Sequence, residues 1–166
     1  MGSPPIPRLR SKYGGSRLMS RLPMLVWIFL SMAPVSLYGM DIAVIVHPGN
    51  TEDTLSLREL SRLFKQEKQY WEDNSPVYLI MQEDGTPEKD LFVSKVFKMR
   101  PNELKRFWLT KMINGEILSF PKTLSSNDAI KRFVSQIPSA IAYINVRFVD
   151  ETVKVLAIDG KRPGEE

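Results

Sequence analysis

The segment Asp84-Gly-Thr-Pro-Glu-Lys89 combines residue types that bind a small anion where a helix begins. Thr86 is a favourable N-cap and Pro87 suits the first helical position, so we expect a helix to start there. Backbone amides and the helix dipole attract anions at such a start, and Gly85 lets the backbone come close. The Thr86 hydroxyl would add a donor and the Lys89 ammonium a positive charge.

Three acidic residues around this segment, Glu83, Asp84 and Glu88, argue against an anion. Their charges repel an anionic ligand. An ordinary N-cap at Thr86 and a solvated Lys89 explain the same residues without any ligand. The residues alone therefore favour a plain helix start, and anion binding stays open.

Three more polar residues follow apolar runs that predict strands. His47 and Asn50 come after a β-branched run, and Asn145 follows another. In open α/β sheets, ligands bind at the carboxyl ends of the strands, against helix N-termini. We therefore expect His47, Asn50 and Asn145 near the turn from Gln82 to Thr86, although a lone histidine is more often an ordinary turn residue.

Other kinds of chemistry find little support. The chain has no cysteine, which excludes thiol catalysis and disulfides. It has one histidine, so a metal site built from histidines is not expected. No serine, histidine and acid arrangement occurs, and the carboxylates are scattered without acid–base spacing. The sequence predicts no enzyme, no cofactor and no metal. Trp108 and Tyr143 are expected in the core, whereas Trp71 lies in a polar loop.

The elements that would position these residues alternate along the chain. Continuous apolar runs predict buried strands, and apolar residues at helical spacing predict helices with one buried stripe. The expected strands cover 42–46, 76–81, 140–144 and 153–158, and the expected helices cover 56–65, 87–99, 101–113 and 125–136. This order predicts an α/β fold, a small mixed, mostly parallel sheet flanked by helices.

The net charge of +4 misrepresents the folded part of the chain. Residues 1–39 hold five of the 23 basic residues and none of the 19 acidic ones, so residues 40–166 are nearly neutral. A phosphate backbone needs a concentrated positive surface, so a nucleic-acid partner is not expected.

Residues 1–39 are predicted to be a disordered leader followed by a secretory signal peptide. Basic residues precede a short apolar stretch, which is shorter than the roughly 20 residues of a spanning helix. An uncleaved membrane anchor is the alternative. An exported chain without a lipid-anchoring cysteine is expected free in a periplasm, with residues 40–166 as its single domain.

Several segments also occur in a familiar order. They are Leu60-Ser-Arg-Leu-Phe64, Trp71-Glu-Asp73, the strand 76–81, Asp84-Gly-Thr86 with Phe92, Phe107-Trp108 through Asn114-Gly115, Pro138-Ser-Ala-Ile-Ala-Tyr143 and Val153-Lys-Val-Leu. Together they resemble the substrate-binding proteins of phosphate ABC transporters, in the type II periplasmic binding protein superfamily. In that family an arginine stands at the position of Gln82, and Ser-Gly-Thr at the position of Asp84-Gly-Thr86.

The resemblance implies one lobe of a type II periplasmic binding protein. It implies an exported, non-enzymatic domain that binds phosphate or a similar small oxyanion in connection with ABC-type uptake. The expected ligand-binding residues are Gln82, Asp84, Gly85, Thr86, Lys89, His47, Asn50 and Asn145. The alternative is a non-enzymatic periplasmic interaction or sensor-accessory module whose partner is a membrane transporter or sensor protein. An exposed Trp71 would favour this module.

Overall fold

The computed structural model describes Gly2, residues 42–117 and residues 120–164. The leader and signal peptide predicted for residues 1–39 lie outside this description, apart from Gly2, and stay a prediction. The elements are β1 (Ile42–Val46), β2 (Thr54–Leu55), α1 (Leu57–Phe64), β3 (Tyr78–Gln82), α2 (Pro87–Phe92), a π-helical turn (Val93–Phe97), α3 (Pro101–Ile113), β4 (Lys122–Leu124), α4 (Asn127–Gln136), β5 (Ala140–Asn145), a 3-10 turn (Val146–Phe148), β6 (Lys154–Val155) and β7 (Ala157–Ile158).

Five strands form one sheet in the order β4-β3-β5-β1-β6. Strand β3 pairs parallel with both β4 and β5, whereas β1 pairs antiparallel with both β5 and β6. Four strands therefore run in one direction, and β1 alone among the five runs against them. This confirms the predicted α/β class with a mixed, mostly parallel sheet.

Helices cover both faces of this sheet, as predicted. Successive side chains of a strand point to opposite faces, so each central strand contributes to two apolar clusters. One cluster packs β1, β3 and β5 against α1, α2 and α3, with Phe64 and Trp108 at its centre. The other packs the opposite face against α4, through Ile130 and Val134. Burial on both faces explains the continuous apolar runs.

Local capping sets the beginnings of the helices. The Ser56 hydroxyl accepts a hydrogen bond from the Glu59 amide at 3.1 Å, and the Glu59 carboxylate accepts one from the Ser56 amide at 3.0 Å. This reciprocal pair satisfies two amides at the start of α1. The helix that begins at Pro87 changes to a π-helical turn and ends at Phe97, because Lys98 adopts a left-handed conformation with φ 57°. Its predicted end at residue 99 was two residues too late.

The strand predicted over 153–158 is two short strands in two sheets. Strand β6 pairs with β1, whereas β7 pairs parallel with β2 in a separate two-stranded sheet. Between them the Leu156 amide donates to the Val44 carbonyl at 3.0 Å, and the Ala157 amide donates to the Asp53 carbonyl at 3.0 Å. The chain therefore changes partners at Leu156. Strands β2 and β4 are too short for an apolar pattern to predict them.

Candidate functional site

The turn between β3 and α2 has the conformation that its sequence predicts. Gly85 has φ 84°, in the left-handed region that favours glycine. The Thr86 hydroxyl accepts a hydrogen bond from the Lys89 amide at 3.3 Å and donates one to the Glu83 carbonyl at 3.1 Å. Thr86 is thus the N-cap of α2, and the backbone around Gly85 is exposed to solvent. A small ligand has access to this helix start.

The Lys89 side chain is buried and forms an ion pair with the exposed Asp84. Its ammonium lies 2.6 Å from a carboxylate oxygen of Asp84. The Lys89 side chain is 8% exposed, whereas that of Asp84 is 90% exposed. A buried ammonium requires an anionic partner, and here that partner lies on a turn open to solvent. Lys89 and Asp84 thus form an ion pair with one buried and one exposed partner.

Gln82 and Asn145, at the ends of β3 and β5, are joined through a residue that the sequence did not single out. The Gln82 side-chain amide donates to Asn127 Oδ1 at 2.8 Å, and the Asn145 backbone amide donates to the same oxygen at 3.0 Å. Asn127 is the first residue of α4, after the N-cap Ser126. A polar residue in the first turn of a helix was the available signal.

This network also reaches α2 and the core. The Asn145 side-chain amide donates to a Glu88 carboxylate oxygen at 3.4 Å. The Gln82 backbone amide donates to the Tyr143 hydroxyl at 3.4 Å. Burial raises the pKa of Tyr143, so its hydroxyl stays protonated and neutral at physiological pH. Gln82, 2% exposed, is thus held inside the protein.

The structure does not bring His47 and Asn50 to this edge, so that expectation was wrong. In the antiparallel pairing of β1 with β5, Ile42 lies opposite Asn145 and Val46 lies opposite Ile141. The carboxyl end of β1 is therefore at the other end of the sheet. There, His47 Nδ1 accepts from the Gly49 amide at 2.9 Å and Asn50 Oδ1 accepts from the Glu52 amide at 2.9 Å, as turn residues do.

The charge around the helix start is clearly negative, with four carboxylates against one ammonium. Glu83, Asp84 and Asp90 are exposed and Glu88 is half-buried, whereas Lys89 is the buried cation. This excess of negative charge opposes the binding of an anion. Within residues 42–117 and 120–164, no group of three histidine or acidic side chains is placed to hold a metal ion.

A cavity of about 640 Å³ adjoins the same turn. It lies between α2 with its π-helical turn, α3 and the edge strand β4. Asp84, Gly85 and Lys89 form one side of it, and Trp108 of α3 lies on another. The structure thus brings three of the predicted site residues, Asp84, Gly85 and Lys89, to the lining of one cavity.

The fold is shared with solved structures of phosphate-binding proteins. An ABC-type phosphate transport receptor from Vibrio cholerae matches with a TM-score of 0.61 and 17% identity, over 74% of this chain and 48% of that one. A Clostridium perfringens protein with bound phosphate, described as a phosphate ABC transporter substrate-binding protein, matches with a TM-score of 0.60 and 21% identity, over 74% and 46%. PstS from Borrelia burgdorferi matches with a TM-score of 0.56 and 16% identity, over 74% and 49%.

Each match covers about half of the length of the solved structure. The chain spans 46–49% of the length of these three structures, so it corresponds to part of their fold. No protein-family model matches the chain. Of the helices in the described residues, none has the length and apolar character needed to cross a membrane. At these identities the likeness establishes the fold alone.

Proposed function

We propose that this chain is an exported substrate-binding-protein-like domain that binds phosphate or a similar small oxyanion in connection with ABC-type uptake. The observation that carries the proposal is the buried Lys89 ammonium, paired 2.6 Å away with the exposed Asp84 beside the open start of α2. The solved structures with this fold include phosphate-binding proteins, one of them with phosphate bound. Both point to an anion as the ligand.

In this proposal the anion takes the place of Asp84 against Lys89. The Lys89 ammonium and the Gly85 amide supply hydrogen bonds to its oxygens, whereas the Thr86 hydroxyl keeps its hydrogen bond to the Glu83 carbonyl. Gln82 and Asn145 hold the neighbouring strand ends in place through Asn127. The carboxylates around the turn favour the monoanion of phosphate over the dianion, because each added negative charge increases the repulsion.

Titration calorimetry of the full chain with phosphate and with sulfate tests the proposal. We expect phosphate to bind, and Lys89→Met to weaken that binding by about tenfold or more, because charge-assisted hydrogen bonds contribute about 1.5–3 kcal/mol each. Lys95→Met is the matched control, since Lys95 is exposed on the next turn and lies outside the cavity. No heat with either anion, or equal losses in both variants, would contradict the proposal.

A second candidate is the periplasmic interaction or sensor-accessory module, which needs no small ligand. The three exposed carboxylates at the helix start, Glu83, Asp84 and Asp90, favour it, since they suit a basic protein surface better than phosphate. The expected exposure of Trp71, which would have favoured this module, is not found. Trp71 is 5% exposed, and its indole N–H donates to the Ser139 carbonyl at 3.1 Å. Co-purification with a membrane transporter or sensor, without anion binding, would select this candidate.

A further inference from the structure

The cavity beside α2 has an apolar interior and a charged mouth. Met81, Val93, Leu104 and Trp108 line it and are buried. Lys89 is the buried charged residue of the lining. The exposed lining residues at its mouth include Asp84, Asp90, Lys105 and Thr123 together with the apolar Pro101 and Phe120. Apolar walls with a few convergent polar groups are typical of small-molecule sites.

The size of this cavity does not match inorganic phosphate. Its volume is about 640 Å³. It lies within the range of about 300–1,000 Å³ that holds drug-sized organic ligands. Phosphate at Lys89 would leave the exposed Pro101 and Phe120 and the half-buried Pro121 of the apolar lining in contact with water. An apolar ligand body would cover them, and releasing that water favours binding.

The charges of the lining set the charge of the ligand. Lys89 and Lys105 are balanced by Asp84 and Asp90. A single negative group that displaces Asp84 from Lys89 leaves the Lys89 ammonium paired, and the released Asp84 stays in solvent. A second negative charge would meet Asp84 and Asp90 without a further buried cation in the lining. The cavity therefore favours one anionic group.

We propose that this cavity binds an amphipathic organic monoanion, a compound with an aromatic or branched apolar body and one carboxylate. Its body packs on Pro101, Phe120 and Pro121, and its carboxylate pairs with Lys89 in place of Asp84. This site rests on the cavity and does not require phosphate binding. Because Lys89 serves both ligands, such a compound competes with phosphate wherever phosphate binds.

Titration of the full chain with 1-naphthoate, and with the neutral 1-naphthamide, tests the site. We expect naphthoate to bind at least about tenfold more tightly than naphthamide, because only the carboxylate pairs with Lys89. In Lys89→Met this difference should fall to about twofold or less, while naphthamide binding is retained because the apolar walls are unchanged.

A pair of variants on the edge strand β4 locates the binding. Thr123→Trp places an indole at the mouth of the cavity and should abolish the binding of both compounds. Lys122→Trp is the matched control, because Lys122 lies on the other face, with its ammonium 5.4 Å from the centre of the Phe133 ring. It should leave binding unchanged. Circular dichroism confirms that each variant is folded.

Three results would overturn this inference. The first is that titration with naphthoate gives no heat, and the second is that naphthoate and naphthamide bind with equal affinity. The third is that Thr123→Trp still binds these compounds. A chain that binds naphthoate but neither phosphate nor sulfate would refute the phosphate proposal and leave this site in place. The reverse outcome would refute this site alone.

Discussion

Phe92→Ala is expected to lower the free energy of unfolding by about 3–5 kcal/mol, the range for removing a buried aromatic ring. Phe92 is buried between α2 and the sheet. Its ring stacks on Tyr143 with the centroids 3.8 Å apart and the planes 9° from parallel, and it meets the edge of Phe64 at 4.6 Å. Truncation removes both ring contacts and leaves a cavity below the candidate site. Chemical denaturation of the full chain measures the change.

Ile113→Ala is the control for this prediction. Ile113 ends α3 and is 83% exposed, so its truncation should change the free energy of unfolding by no more than about 0.5 kcal/mol. If Phe92→Ala changed it as little as this control does, the stacked ring pair would not hold α2 on the sheet. The placement of the helix start over the strand ends would then be wrong.

Asn127→Ala is expected to lower the free energy of unfolding by about 1–3 kcal/mol. Its side-chain oxygen accepts hydrogen bonds from Gln82 Nε2 and from the Asn145 amide. Because Gln82 is buried, its side-chain amide would be left without this acceptor and with little access to water. The same substitution should also increase hydrogen exchange at the Asn145 amide. Denaturation and amide exchange measure the two effects.

Asn127→Asp distinguishes the acceptor from the rest of the side chain. Aspartate keeps an oxygen at the same place, and a negative charge in the first turn of α4 interacts favourably with the helix dipole. We expect a loss of less than about 1 kcal/mol. Equal losses in both Asn127 variants would mean that the shared oxygen does not join the two strand ends.

Much of the fold was predictable because burial and capping are local properties of the sequence. The runs that form β1 and β5 are apolar at nearly every position, and Ser56 with Glu59 marks the start of α1. The direction of β1 was not predictable. A strand buried on both faces has the same apolar pattern whether its neighbours run parallel or antiparallel. For that reason His47 was placed at the wrong end of the sheet.

The candidate site was predictable where one segment determines it. Gly85 and Thr86 specify the turn and the cap through their own backbone and side-chain preferences. The pairing of Lys89 with Asp84 depends on how the turn at Gly85 folds back, and the position of Asn127 depends on how α4 packs on the sheet. The cavity depends on three elements that are distant in sequence. No sequence pattern encodes such long-range placements.

The most direct test of oxyanion binding at the start of α2 is a backbone-amide NMR titration of the isotope-labelled full chain with phosphate. We predict that the largest chemical-shift changes fall on Gly85, Thr86, Glu88 and Lys89 and saturate together. The amides of His47 and Gly49, at the other end of the sheet, should not move. Changes centred on that other end, or no saturating change at the turn, would contradict the proposed binding site.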